Sequence, residues 1–183
     1  SYSFKFFIPF PINSTLCMHT MNKRILLFIF LLMTAAINSD AQLKVSFPSK
    51  DSLLITADWY PISTEMPIIL LCHQNRFSRG EYNETALRLN KFGFNCMAVD
   101  QRVGATSNNI PNETAAAAKA SHLNPTLEDA EKDIIAAIDF LYLKYKKPII
   151  IVGSSYSASL ALKIATSNNR VMAAGVFSPG EYF

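Results

Sequence analysis

Four serines crowd positions 154–159 of PIIIVGSSYSASLALKIA (residues 148–165), where one apolar run stops at Gly153 and another pattern resumes behind it. A buried strand that turns sharply into a helix through Gly153-Ser154-Ser155-Tyr156-Ser157 fits the G-x-S-x-G spacing, with a serine in the last place. In that register the Ser155 hydroxyl stands above the end of a sheet. The positions two before and two after it lie against neighbouring backbone and must be small. Gly153 meets that demand, and Ser157 meets it less well than glycine would. The turn also sets the serine at a helix N-terminus, whose free N–H groups stabilise developing negative charge. In that register Ser155 reads as a nucleophile. The same pentapeptide also reads as a small-residue turn needed only to pack a strand on a helix.

Other polar residues have to be weighed beside it. His73 ends an apolar run and reads as a satisfied histidine that shapes a loop. His122 lies in a long loop and reads as a surface residue rather than a base. Asp100 and Arg102 follow another apolar run and read as a local brace bordering the site. No G-x-G-x-x-G precedes Asp100, so a dinucleotide is not expected. Cys72, His73, Asp100 and His122 include no i,i+3 or i,i+4 pair, so no metal is expected either.

The elements that must position these residues follow from periodicity. LKVSFPS and SLLITADWYPI predict two antiparallel strands joined at Pro48–Asp51. PIILLCH, FNCMAVD, PIIIVGS and VMAAGVFS predict four buried strands. YNETALRLNKFG predicts an amphipathic helix with Ala86, Leu89 and Phe92 inward, ended by Gly93. HQNRFSRGEYN is a loop. Residues 101–126 are a long loop in which TAAAAKA forms a helical turn or two. TLEDAEKDIIAAIDFLYLKY is the strongest helix, capped by Thr126 with Asp129 three residues on. SASLALKIATSN is the helix after the serine turn. The alternation predicts an α/β fold: a mostly parallel sheet with helices on both faces and antiparallel strands at its start. In such sheets the sites lie beyond the carboxyl ends of the strands, where HQNRF, DQRVG, GSSYS and SPGEY all fall.

Together LLCHQNRFSRGEY, AVDQRVGATSN, IVGSSYSASLAL and VFSPGEYF resemble, in order, four segments of the α/β-hydrolase fold, and more narrowly of its dienelactone-hydrolase-like branch. The resemblance covers roughly residues 52–183 and the family's first six strands. It implies that Ser155 attacks the acyl carbon, and that the Tyr156 backbone N–H donates to the oxyanion. The second donor is the N–H of Asn75 or Gln74. The family's usual glycine after His73 is Gln74 here, and its second elbow glycine is Ser157. The family's order of serine, acid and histidine implies partners after Ser155, yet no histidine follows it and Glu181 is the only acid. The expectation is therefore a partial hydrolase domain, inactive by itself, that in its whole form hydrolyses a carboxylic ester, lactone or similar acyl bond without a cofactor. The alternative is a non-catalytic binding protein of the same fold. A sheet that stops at VMAAGVF predicts a free apolar edge and poor solubility.

Of the 183 residues, 50% are hydrophobic and 17% charged, which describes one globular domain rather than a disordered chain. The net charge of +3 comes with no basic block, so nucleic acid is not an expected partner. From Met21 the chain reads as an export signal: Lys23 and Arg24, an apolar core over 25–36, and Ser39-Asp40-Ala41 before Gln42. An uncleaved anchor is the other reading of that stretch. Residues 1–20 read as translated upstream sequence, with Met21 or Met18 as the start. The expected protein is exported, free of the membrane once residues 21–41 are removed, and takes a small acyl substrate. Cys72 and Cys96 read as buried free thiols, or as a pair outside the cytosol if their geometry permits.

Overall fold

The computed structural model describes residues 42–183, and the expectations for residues 1–20 and 21–41 lie outside them. Leu43–Pro48 (β1) and Leu54–Tyr60 (β2) form the antiparallel pair, with Leu43 opposite Trp59 and Pro48 opposite Leu54. Ile68–Cys72 (β3), Asn95–Val99 (β4), Ile149–Ser154 (β7) and Val171–Phe177 (β8) complete a six-stranded sheet in the order β1-β2-β4-β3-β7-β8. The pairs β3/β4, β3/β7 and β7/β8 are parallel, while β2 meets β4 antiparallel.

Alternation along the central strands builds two cores. Ile68, Leu70 and Cys72 face one way with Met97, Val99, Ile149 and Ile151, under Glu131–Tyr145 (α3) and Tyr156–Ser167 (α4). Ile69 and Leu71 face the other way with Cys96, Ala98 and Tyr60, under Ala86 of Asn83–Lys91 (α1). Helices thus cover both faces. The two thiols sit in opposite cores and are free, so the paired reading is excluded. Burial pushes Cys96 up to about 12, which makes it inert.

The reciprocal Thr126–Asp129 bonds form, Thr126 N donating to Asp129 Oδ2 at 2.9 Å and Asp129 N to Thr126 Oγ1 at 3.3 Å, but they do not cap α3 itself, whose N-cap is Ala130 and makes no side-chain bond. A 3-10 turn at Glu128–Ala130 then leads into the helix. Three further expectations are corrected. Phe92 is 78% exposed, because α1 stops at Lys91 and Phe92 caps it rather than continuing its inward face. The segment 101–126 forms the expected helical turns as Glu113–Ala120 (α2), but the rest is not a plain loop, since Thr106–Ser107 (β5) and Ile110–Pro111 (β6) pair as a ribbon. β8 is not a buried strand: it pairs with β7 on one side, and Met172 and Phe177 are each 62% exposed.

Two arginines lock the loops beyond the strand ends. Arg79 Nη1 donates to Asp100 Oδ2 at 2.6 Å, its Nε faces Asp58 at 3.0 Å and its Nη2 reaches Glu113 at 2.7 Å. Arg102 binds Asp133 through Nε and Nη2, and Asp51 through Nη1 at 2.7 Å. That bond to Arg102 holds the Asp51 carboxyl well below the usual carboxylate range. Asp133 and Asp100 are fully buried. Removing one partner of a buried pair strands the other, so Asp133→Ala is expected to cost about 3–5 kcal/mol. Asp139→Ala, which breaks the half-exposed pair with Arg170, should cost at most about 1 kcal/mol. Urea midpoints of the two variants check the contrast, and equal losses would contradict it.

Candidate active site

Register brings the candidate residues to one rim. Cys72 of β3 pairs with Gly153 of β7, so the chain leaving β3 through His73 runs beside the chain leaving β7 through Ser155. Cys72 also pairs with Val99, which sets Asp100 on the same side.

The turn from β7 into α4 is abrupt. Ser155 holds φ 57° and ψ −124°, a sparsely populated conformation for a residue with a side chain. Its N–H donates to Phe177 O at 2.9 Å, so its own amide is occupied. Tyr156 is the first residue of α4, where an N–H has no acceptor within the helix. A Cβ on Gly153 would come within 2.3 Å of Ser157 O, so only glycine fits there. Ser157 does more than stay small. Its hydroxyl accepts from Ser154 N at 3.0 Å and lies 2.8 Å from Cys72 O and 2.9 Å from Ser154 O, tying α4 to the ends of β3 and β7. Glycine could make none of these bonds.

Ser155 Oγ meets Tyr182 Oη at 2.9 Å. Tyr182 belongs to the segment after β8, which Ser159 pins by donating from Oγ to Gly180 O at 2.6 Å. No histidine or carboxylate bonds Ser155 among the described residues. His122 is exposed, in the left-handed region at φ 56°, with no hydrogen bond to the serine.

His73 is fully buried and its tautomer follows from its neighbours. Nε2 accepts from Gln101 N at 3.0 Å, so the proton sits on Nδ1 and is donated to Gln74 O at 2.8 Å. With both nitrogens engaged, this imidazole is no general base. The loop that follows turns tightly: Phe77 N donates to Gln74 O at 3.2 Å, and Arg76 has φ 66°. Gln74 N donates to Glu81 Oε2 at 2.9 Å, so Gln74 is removed as a candidate oxyanion donor. The N–H of Asn75 has no acceptor among the described residues. Glu81 carries no motif that sequence reading could have used, because its role depends on a loop seven residues away.

His73, Asp100 and Arg102 do not line the site. All three are buried beneath it, and the two ionic residues brace separate clusters instead of pairing with each other. Arg79, Asp58, Asp51 and Asp133, which complete those clusters, lie scattered along the chain and gave no local signal.

No protein-family model matches the chain, and no curated protein does. Solved structures do match it. The α/β hydrolase GrgF from Penicillium sp. sh18 superposes with a TM-score of 0.61 at 17% identity, over 76% of this chain and 46% of that one. The chain has the α/β-hydrolase fold. The Pyrococcus furiosus esterase Pf2001 gives 0.59 at 21% identity, over 78% and 52% of the two chains. A thermostable carboxyl esterase from Bacillus coagulans gives 0.56 at 17%, over 75% and 44%. The chain therefore spans about half the length of these α/β-hydrolase structures.

Burial lowers the His73 pKa to about 4 from the ordinary 6.5, against the opposing bond to Gln74 O. Across that window the unfolded chain holds a proton here that the folded chain does not. Stability therefore falls as pH drops from about 6.5 to 4, by about 3 kcal/mol for this group. Burial raises Glu81, Asp100 and Asp133. Those groups are all retained in a His73→Gln variant. Urea titrations between pH 7 and 4 should therefore show a flatter dependence in the variant than in the parent; matching slopes would contradict the assignment.

Proposed function

We propose that this chain is the nucleophile-bearing part of a serine hydrolase that cleaves a carboxylic ester, lactone or similar acyl bond. The observation that carries the reading is the Ser155 backbone, bent to φ 57°, ψ −124° between β7 and α4. That bend aims one hydroxyl at the rim of an α/β-hydrolase sheet. In this reading Ser155 Oγ attacks the acyl carbon while its proton passes to a base. The N–H groups of Tyr156 and Asn75 receive the oxyanion. The base then gives the proton to the departing alcohol, and water later releases the acyl group from Ser155. The dienelactone-hydrolase-like branch is the narrower form of the proposal, supported by the motif order.

Ser155 has no base within reach among the described residues, and Tyr182 occupies its hydroxyl. The proposal therefore assigns the base and acid to sequence outside the described residues. It keeps residues 21–41 as an export signal and a small acyl compound as the substrate. A non-catalytic binding protein would share the elbow but not its reactivity.

A fluorophosphonate probe separates the two. Expressed with its complete reading frame, the protein should be labelled at Ser155, and Ser155→Ala should abolish labelling. Labelling that survives the substitution would reject the nucleophile, and an unlabelled parent would favour the binder. The 183-residue chain should label far more slowly, because elbow and oxyanion donors alone retain only a residual activity.

A further inference from the structure

The second oxyanion donor depends on a loop whose sequence departs from the expected glycine, and something must hold that loop. Residues 74–77 close a tight turn through Phe77 N and Gln74 O, with Arg76 at the third position in the left-handed region that some turns require there. In such a turn the N–H of the second residue, Asn75, points away from the closing bond. What remains open is the orientation of the turn itself relative to Ser155.

Glu81 supplies that orientation. Its Oε2 accepts the Gln74 main-chain N–H at 2.9 Å, and its Oε1 lies 3.4 Å from Gln74 Nε2. From the other side, the Gln74 carbonyl takes the His73 Nδ1 proton. Both polar groups of that residue's backbone are thereby fixed. Glu81 is itself held rigidly by its neighbours in the 3-10 turn Arg79–Tyr82. Arg79 is anchored to Asp100 on the end of β4, and Tyr82 Oη donates to Cys72 O, the last carbonyl of β3, at 3.1 Å. A carboxylate bolted to β3 and β4 thus grips the loop that leaves β3.

We propose that Glu81 is a positioning residue for the oxyanion loop: its carboxylate clamps the Gln74 amide so that the Asn75 N–H is presented to the oxyanion formed at Ser155. The inference rests on reading Ser155 as the nucleophile. It assigns Glu81 no contact with substrate and no proton transfer. It also accounts for the tolerance of glutamine at position 74, since a side chain there finds a partner on the same carboxylate.

The test compares Glu81→Ala with Glu81→Gln in the protein with its complete reading frame, using the fluorophosphonate probe. The alanine variant should lose roughly ten- to a hundredfold in the maximal labelling rate, as a misplaced donor does, with probe affinity little changed. The glutamine variant still offers an oxygen to the Gln74 N–H, and Gln74 can flip its own amide to suit; it should keep most of the rate. An alanine variant that labels at the parental rate, or a glutamine variant as slow as the alanine one, would overturn the clamp. Hydrogen exchange of the 183-residue chain gives a second readout that needs no activity. Protection of the Gln74 amide should fall in Glu81→Ala and persist in Glu81→Gln; unchanged protection in the alanine variant would also overturn it. Ser155-independent labelling of the parent would instead remove the nucleophile, and the clamp's purpose with it, so the two failures are told apart.

Discussion

Ser155 sits in a backbone conformation that costs about 1–3 kcal/mol and persists only where its surroundings over-determine it. They do so from several directions. Its amide is bound by the last carbonyl of β8, and Gly153 allows α4 to approach within a distance that no side chain would permit. The Ser157 hydroxyl bridges the first turn of α4 to β3 and β7. Any relaxation of the bend would break bonds on three elements at once. The rest of the architecture can be seen as support for that bend: a sheet whose central strands are buried on both faces gives it a rigid base.

The same logic governs the rim around it. Two buried guanidinium groups, Arg79 and Arg102, gather carboxylates from β2, β4, α2, α3 and the β1–β2 turn. Charge in such places is expensive unless fully paired, and here the pairing converts long connections into fixed walls. His73 belongs to this class. A neutral imidazole locked between Gln101 N and Gln74 O orders backbone and does no proton chemistry. Among the described residues, the groups left at the rim are therefore few: the Ser155 hydroxyl, bonded only to Tyr182 Oη, and the main-chain amides of Tyr156 and Asn75. By contrast, among the described residues β8 pairs on one side only and shows Met172 and Phe177 to solvent.

Much of this was legible in advance. Runs such as IILLC and NCMAV are too short and too apolar for anything but buried strands, and Thr126 with Asp129 announced the start of a helix. Gly153 and its serines marked the turn. The errors share a cause. Phe92 has the right period for the inward face of α1, but the helix ends one residue earlier. VMAAGVF has the composition of a buried strand, yet burial depends on what lies on both sides of it. Gln74 and Asn75 are adjacent and equivalent as sequence; only the reach of Glu81 distinguishes an occupied amide from a free one.

Sequence alone determined the order of elements, the sharp turn and the identity of the residue at its apex, because periodicity, glycine and capping are local properties carried by neighbouring residues. Tertiary structure alone decided which amides are free, which tautomer His73 adopts and which carboxylate answers which arginine. Those outcomes depend on hydrogen-bond partners that are often thirty or more residues apart, and a partner's distance in space is written only when the chain has folded.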